Sequence, residues 1–150
     1  MSYADKPPTC VGCPAYEAGV SYVPGVGPAT ARYALVGQGP GEVEAHAHRP
    51  FCGPSGWKLD LWLTKAGLHR HEAWVDNVIR CQLPKNRTPK ASELAWCTRA
   101  HLWPDLLQLD NLELLVPIGV PAMKALMGPK ASERTAGTLT TVEVPKWTQF

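Results

Sequence analysis

Four of the five cysteines in this chain form two widely separated pairs, Cys10-Val-Gly-Cys13 and Cys81 with Cys97. The chain opens MSYADKPPTC, with no basic segment leading into an apolar one, so neither a secretory leader nor a disulfide framework is indicated. Such thiols are then metal ligands, catalytic groups or buried core. A Cys-x-x-Cys bite lets two sulfurs face one metal, and the second pair would complete a set of four, suited to zinc or to an iron-sulfur cluster. Structural zinc sites usually close with a second short bite, whereas fifteen residues separate Cys81 from Cys97, which favours the bulkier cluster. The competing reading is a set of independent buried thiols, which accounts poorly for a paired bite in a Pro/Gly-rich setting. Cys52, in the apolar PFCG segment, reads as a small hydrophobic residue.

Residues 1–30 are rich in Pro, Gly and small side chains, and they read as an arm that needs an anchor other than secondary structure. A cofactor is one such anchor. With 150 residues, 45% of them hydrophobic, and six Trp, the chain has apolar surface for one core, so residues 1–150 are expected to form a single domain. A net charge of +2 does not by itself announce a nucleic-acid binder. The most apolar late stretch, LELLVPIGVPAM, is short and broken by Pro117 and Pro121, so no membrane partner is expected. The expected location is intracellular (cytoplasmic), in a cellular or virus-encoded protein.

A short apolar run at 33–36 ends in the Gly/Pro turn GQGPGE, as a buried strand of a parallel sheet would. PSGWKLDLWLTKAGL follows with a cap at Pro54 and Ser55, apolar residues at helical spacing and a terminating Gly67. The pattern repeats with a strand in AWVDNVI, a Pro-bounded loop, and a helix from about Ser92 that should end or kink at Pro104. A third strand is expected at 112–118 and a helix at 120–127, stopped by Gly128; GTLTTVEVPKWTQF alternates like a strand or hairpin. Strands alternating with helices imply an α/β fold with a mainly parallel sheet covered on its faces. The GQGPGE turn lacks the third glycine of a dinucleotide fingerprint and the Lys-Ser/Thr of a P-loop, so nucleotide binding is not expected.

The segments TCVGCPAYEAG, LVGQGPGEVEAHAHRPFCGPSGWKLDLWLTKAGL, VDNVIRCQLPKNRTPKASELAWC and LLVPIGVPAMKALMG occur in that order and cover most of the chain. Their spaced signature of Asn77, Cys81, Asn86, Arg87, Pro89, Glu93 and Cys97 resembles the iron-sulfur uracil-DNA glycosylases, often called family 4. That resemblance implies a three-layer α/β/α fold around a four-stranded parallel sheet. It also implies a 4Fe-4S cluster on Cys10, Cys13, Cys81 and Cys97, with zinc as the alternative metal. The implied partner is DNA containing uracil, and the implied reaction is hydrolysis of its N-glycosidic bond.

The chemistry asks for matching residue types. A base stacked in a duplex is out of reach, so such an enzyme extrudes it into a pocket and holds it by ring stacking and edge hydrogen bonds. Phe51 resembles the family's stacking ring, and the Asn77 amide can donate to a uracil carbonyl and accept from the ring N–H. Taken alone, Phe51 is an ordinary core aromatic and Asn77 a turn former. Gly37 and Gly39 frame the turn beside them. Gln38 stands where the family usually has Glu; it can position a water but cannot take its proton. Glu42 or Glu44 could supply the carboxylate; Glu44 matches a family acidic position, although the Asp expected next is Ala45 and a surface carboxylate is ordinarily solvated. Gly41 leaves open the space that better-known members of the wider superfamily fill with a Tyr. Ser55 and Gly56 open a helix whose N–H groups suit a DNA phosphate, and Lys85, Arg87 and Lys90 make the loop before Cys97 basic.

One departure stands out. Family members continue to a fourth strand and a His-Pro motif, whereas this chain ends at Phe150, and none of His46, His48, His69, His71 and His101 has a matching context. Loss of a preorganised anion stabiliser lowers a rate by about a hundredfold to a thousandfold, by analogy with oxyanion holes. The expectation is therefore a C-terminally truncated domain, completed by a continuation or by a partner chain. The alternative function is an inactive module that keeps the fold and cluster to bind DNA or protein.

Overall fold

In this computed structural model residues 6–132, together with 137 and 140, are described. The alternating stretch expected near the C-terminus lies almost entirely outside them. Three parallel strands form the central sheet in the order β3-β2-β5: β2 (Tyr33–Gly37), β3 (Ala73–Asn77) and β5 (Leu114–Pro117). Tyr33 registers with Ala73 and Leu114, and Gly37 with Asn77, so the ends of β2 and β3 finish side by side.

Side-chain alternation on these strands builds the layers. Ala34 and Val36 face one core with Val78, Leu102, Trp103, Leu106, Ala122 and Leu126. Those residues bring α4 (Trp103–Leu106) and α5 (Val120–Met127) onto that face. Leu35 and Val75 face the opposite core with Leu59 and Leu63 of α2 (Pro54–Lys65), and Phe51 packs against its margin. The result is the expected α/β/α stack. Helix α2 stops where its sequence dictates: Gly67, at φ +71°, lets Leu68 N–H reach Leu63 O at 2.9 Å and Gly67 N–H reach Thr64 O at 3.1 Å.

Two elements depart from expectation. The segment after the glycine turn is helix α1 (Glu42–Ala47), which carries Glu44 and His46 on a helix and not in an open turn. The second departure is at Pro104, where no break occurs. Helix α3 (Ala91–Cys97) continues through a π turn, Thr98–Leu102, directly into α4. The wider turn, closed by Trp103 N–H on Thr98 O, lets the proline enter at the start of α4, where it has no helical hydrogen bond to lose.

The arm finds its anchors in backbone pairing and one buried cation. Its strand β1 (Val20–Tyr22) pairs antiparallel with β4 (Cys81–Gln82), and Val23 N–H donates to Arg80 O at 2.7 Å. Val26 exchanges two hydrogen bonds with Val75, which covers the outer edge of β3. Lys6 Nζ donates to the carbonyls of Tyr16 and Gly19.

At the junction of β3 and β4 lies a buried charge cluster. Arg80, 3% exposed, donates through Nε and Nη2 to Asp76, 0% exposed, and through Nη2 to Asp105 at 2.5 Å. Asp76 also accepts from Trp74 Nε1 at 3.2 Å and from Asn77 N–H at 2.7 Å. Burial alone would pull the Arg80 guanidinium down, but the charge and hydrogen bonds of Asp76, with Tyr22, outweigh it and push it up. Removing one partner of such a pair strands the other in the interior. We expect Arg80→Met to cost about 3–5 kcal/mol, read from the urea midpoint and slope. Asp105→Asn, at a partly exposed carboxylate, is expected to cost about 1 kcal/mol. Equal costs for the two variants would contradict a buried pair centred on Asp76.

Candidate functional site

Where β2 and β3 end, a cleft of about 480 Å³ opens at their carboxyl edge, the usual ligand position for a parallel sheet. Gly37, Gln38, Gly39, Glu44, Phe51, Ser55 and Asn77 line it together, although the sequence scatters them over four segments.

The floor of the cleft is built by close approach. A Cβ on Gly37 would lie 2.4 Å from Phe51 Cζ and 2.7 Å from Asn77 Oδ1, so only glycine lets the ring and the amide meet there. Asn77 is 3% exposed, and among the described residues its side-chain amide has no hydrogen-bond partner, while its backbone N–H is held by Asp76. Phe51 sits at φ +52°, a conformation that a bulky residue adopts only when its surroundings enforce it. They do so through Gly56, where a Cβ would meet Phe51 O at 1.8 Å. Gly56 therefore serves the packing of the Phe51 turn, whereas Ser55 lies exposed on the cleft wall. The helix cap expected at Pro54 and Ser55 is Gly53, with Pro54 as first helical residue.

Glu44 is not the solvated surface carboxylate that its sequence setting suggests. It is 8% exposed, and its Oε1 accepts from Gly53 N–H at 2.8 Å, which ties α1 to the start of α2. Its Oε2 faces Gly41, where a Cβ would lie 3.0 Å away. His46 and His48 are exposed. Of the three basic residues, Lys85 and Lys90 are exposed, but Arg87 is committed to a two-point pair with Glu93 at 2.9 and 2.7 Å. Glu93, pulled down by Arg87, also accepts from Lys90 N–H and so closes the first turn of α3.

All four paired cysteines are free thiols, and Cys81 lines one side of the cleft. Cys10 to Cys13 form a tight turn in which Cys13 N–H reaches Cys10 O at 2.9 Å, with Gly12 at φ +90°. Trp96 of α3 covers this turn, its ring over Gly12 and its Nε1 donating to Thr9 O at 3.2 Å. Cys81 and Cys97 share a small apolar core with Ile79 and Leu83, and Cys13 packs against it. Burial pushes the thiols of Cys10 and Cys97 up, and that of Cys81 up to about 11; neighbouring cysteines add to each shift. Two sulfurs have a nitrogen close by: Arg80 N–H donates to Cys97 Sγ at 3.3 Å, and His101 Nε2 lies 3.3 Å from Cys10 Sγ. Among the described residues no three His, Cys, Asp or Glu side chains are grouped so as to hold a metal ion. Cys52 lies apart from this set in its contacts, with its thiol donating to Arg49 O at 3.3 Å.

Sequence reasoning missed Arg80, Tyr22 and His101, which connect the sulfurs to β3. The signal for the first was present in VDNVIR, an Asp and an Arg four positions apart within an apolar run. Nothing local marks the other two, which are 79 positions apart.

Comparison with known proteins agrees with this geometry. A model of the Uracil DNA glycosylase superfamily matches residues 24–148. A type-4 uracil-DNA glycosylase of Thermotoga maritima is 34% identical over 114 residues, which are 76% of this chain and 58% of that protein. One from Pyrobaculum aerophilum is 33% identical over 121 residues, 79% of this chain and 59% of its own length. One from Archaeoglobus fulgidus is 36% identical over 89 residues, 59% of this chain and 45% of that protein. The chain thus spans less than two thirds of the length of these relatives. No helix among the described residues is long and apolar enough to cross a membrane. With the family match running across most of its length and the cleft at the matching strand ends, this chain belongs to the uracil DNA glycosylase superfamily.

Proposed function

We propose that this protein binds DNA, takes an everted uracil into the cleft and hydrolyses its N-glycosidic bond. The observation that carries this reading is the meeting of the Phe51 ring and the uncommitted Asn77 amide over Gly37. A planar base stacks on the first while the second reads its edge. Uracil offers an acceptor carbonyl beside a ring N–H, and cytosine offers the reverse, so an amide with a fixed orientation leaves buried polar groups unpaired against the wrong base. Asp76 helps fix that orientation by holding the backbone of Asn77.

Bond cleavage develops positive charge on the sugar and negative charge on the departing base. Glu44 supplies a carboxylate at the cleft wall that offsets the first, and Gln38 with Glu44 orients the attacking water. Ser55 at the rim, with Lys85 and Lys90, contacts the DNA backbone.

In the same reading Cys10, Cys13, Cys81 and Cys97 hold a 4Fe-4S cluster. The donor set fits such a group: three of the four thiols are buried, Cys13, Cys81 and Cys97 meet at one small apolar core, and a nitrogen lies 3.3 Å from each of the Cys10 and Cys97 sulfurs. Zinc would require all four sulfurs to close on one ion at about 2.3 Å. The same four thiols would serve a bulkier iron-sulfur cluster. By holding it, Cys10 and Cys13 of the arm would be tied to Cys81 of β4 and Cys97 of α3.

A uracil-containing oligonucleotide tests the activity, with base release scored by alkaline cleavage of the abasic product. Release is expected from the protein and should fall about a hundredfold or more in Asn77→Ala, in line with loss of a preorganised hydrogen-bond group. No release by iron-loaded protein, or undiminished release by the variant, would contradict the reading. Glu44→Gln keeps an oxygen for Gly53 N–H and removes only the charge. Its kcat is expected to fall about a hundredfold with stability unchanged; full activity would reduce Glu44 to a structural link.

A further inference from the structure

The path from Cys10 back to Arg80 is unbroken: Cys10 Sγ to His101 Nε2 at 3.3 Å, His101 Nδ1 to the Tyr22 hydroxyl at 3.3 Å, and that hydroxyl to Arg80 Nη1 at 2.9 Å. These residues come from the arm, the π turn and the β3–β4 junction. We infer that His101 is a positioning residue for the Cys10 sulfur, donating it an Nε2–H hydrogen bond whose direction Tyr22 and Arg80 fix. This rests on the reading of Cys10 as a cluster ligand.

The direction follows from donor and acceptor capacity. A metal-bound thiolate carries no proton, so the proton in the Cys10 contact belongs to Nε2. Arg80 donates to the oxygen of the Tyr22 hydroxyl at 2.9 Å, which leaves the hydroxyl proton for Nδ1 of the buried His101. The Tyr22 O–H then donates to Nδ1, and its oxygen is left to accept from Arg80, which has donors only. Each group is satisfied in one sense only. Arg80 acts on the sulfurs twice, through this relay to Cys10 and through its backbone N–H to Cys97.

Hydrogen bonds to ligating sulfurs draw off negative charge, which favours the reduced cluster, and they fix the orientation of the ligand. A packing role alone predicts something different. The rings of Tyr22 and His101 meet edge to face at 5.2 Å, a contact that Phe preserves at position 22.

The test compares the protein with His101→Leu, His101→Gln and Tyr22→Phe. It reads iron per chain, the rate of iron loss to a chelator, and the midpoint potential from dye-mediated titration. His101→Leu is expected to release iron at least about tenfold faster, with its potential shifted negative. Tyr22→Phe should move both readouts in the same direction, and His101→Gln, which keeps an N–H donor, should stay near the unaltered protein. Equal shifts in His101→Leu and His101→Gln would overturn the inference, since volume and not the donor would then matter. So would unshifted variants in a protein that carries iron, and this outcome leaves the cluster standing. An unaltered protein without iron would overturn both.

Discussion

A guanidinium buried between two carboxylates is costly to desolvate, and around Arg80 the chain is arranged to offset that cost. Asp76 and Asp105 supply charge, and Tyr22 supplies an acceptor. What makes this point structurally decisive is its connectivity. It joins the end of β3, the arm, helix α4 and one of the sulfurs. Among its described residues the arm has three in strand before β2, so it relies on such cross-links more than on local propensity.

The cleft depends on the same kind of constraint at its opposite wall. Phe51 holds a left-handed backbone because Gly56 allows its carbonyl to press in, and Gly37 allows its ring to reach Asn77. Strain of this kind costs about 1–3 kcal/mol and persists where neighbours over-determine the conformation. The return is a ring and an amide whose relative placement does not depend on a flexible loop. Discrimination between bases by hydrogen-bond pattern requires that rigidity, because a mobile amide would rotate to accept either edge.

Much of the sheet was legible in the residues. The apolar runs at 33–36, 73–79 and 112–118 became β2, β3 and β5 with frayed ends, and Gly67 and Gly128 stop their helices as glycines do. Helix α1 was hidden because six residues after a Gly/Pro turn carry too little periodicity to announce a helix. The passage through Pro104 was hidden because a π turn is a property of hydrogen-bond register, not of composition. At the site, Phe51 and Asn77 were legible through their motif, but the burial of Glu44 and the commitment of Arg87 to Glu93 depend on partners that local sequence does not name. Tyr22 and His101 lie farther still from anything a local pattern can show.

The central proposal is that the sulfurs of Cys10, Cys13, Cys81 and Cys97 surround one inorganic centre beside the cleft. Diffraction from anaerobically grown crystals, measured on either side of the iron absorption edge, tests it directly. The account predicts one compact anomalous peak bounded by the sulfurs of Cys10, Cys13, Cys81 and Cys97. Iron-free density there, or sulfurs pointing away from a common centre, would contradict it.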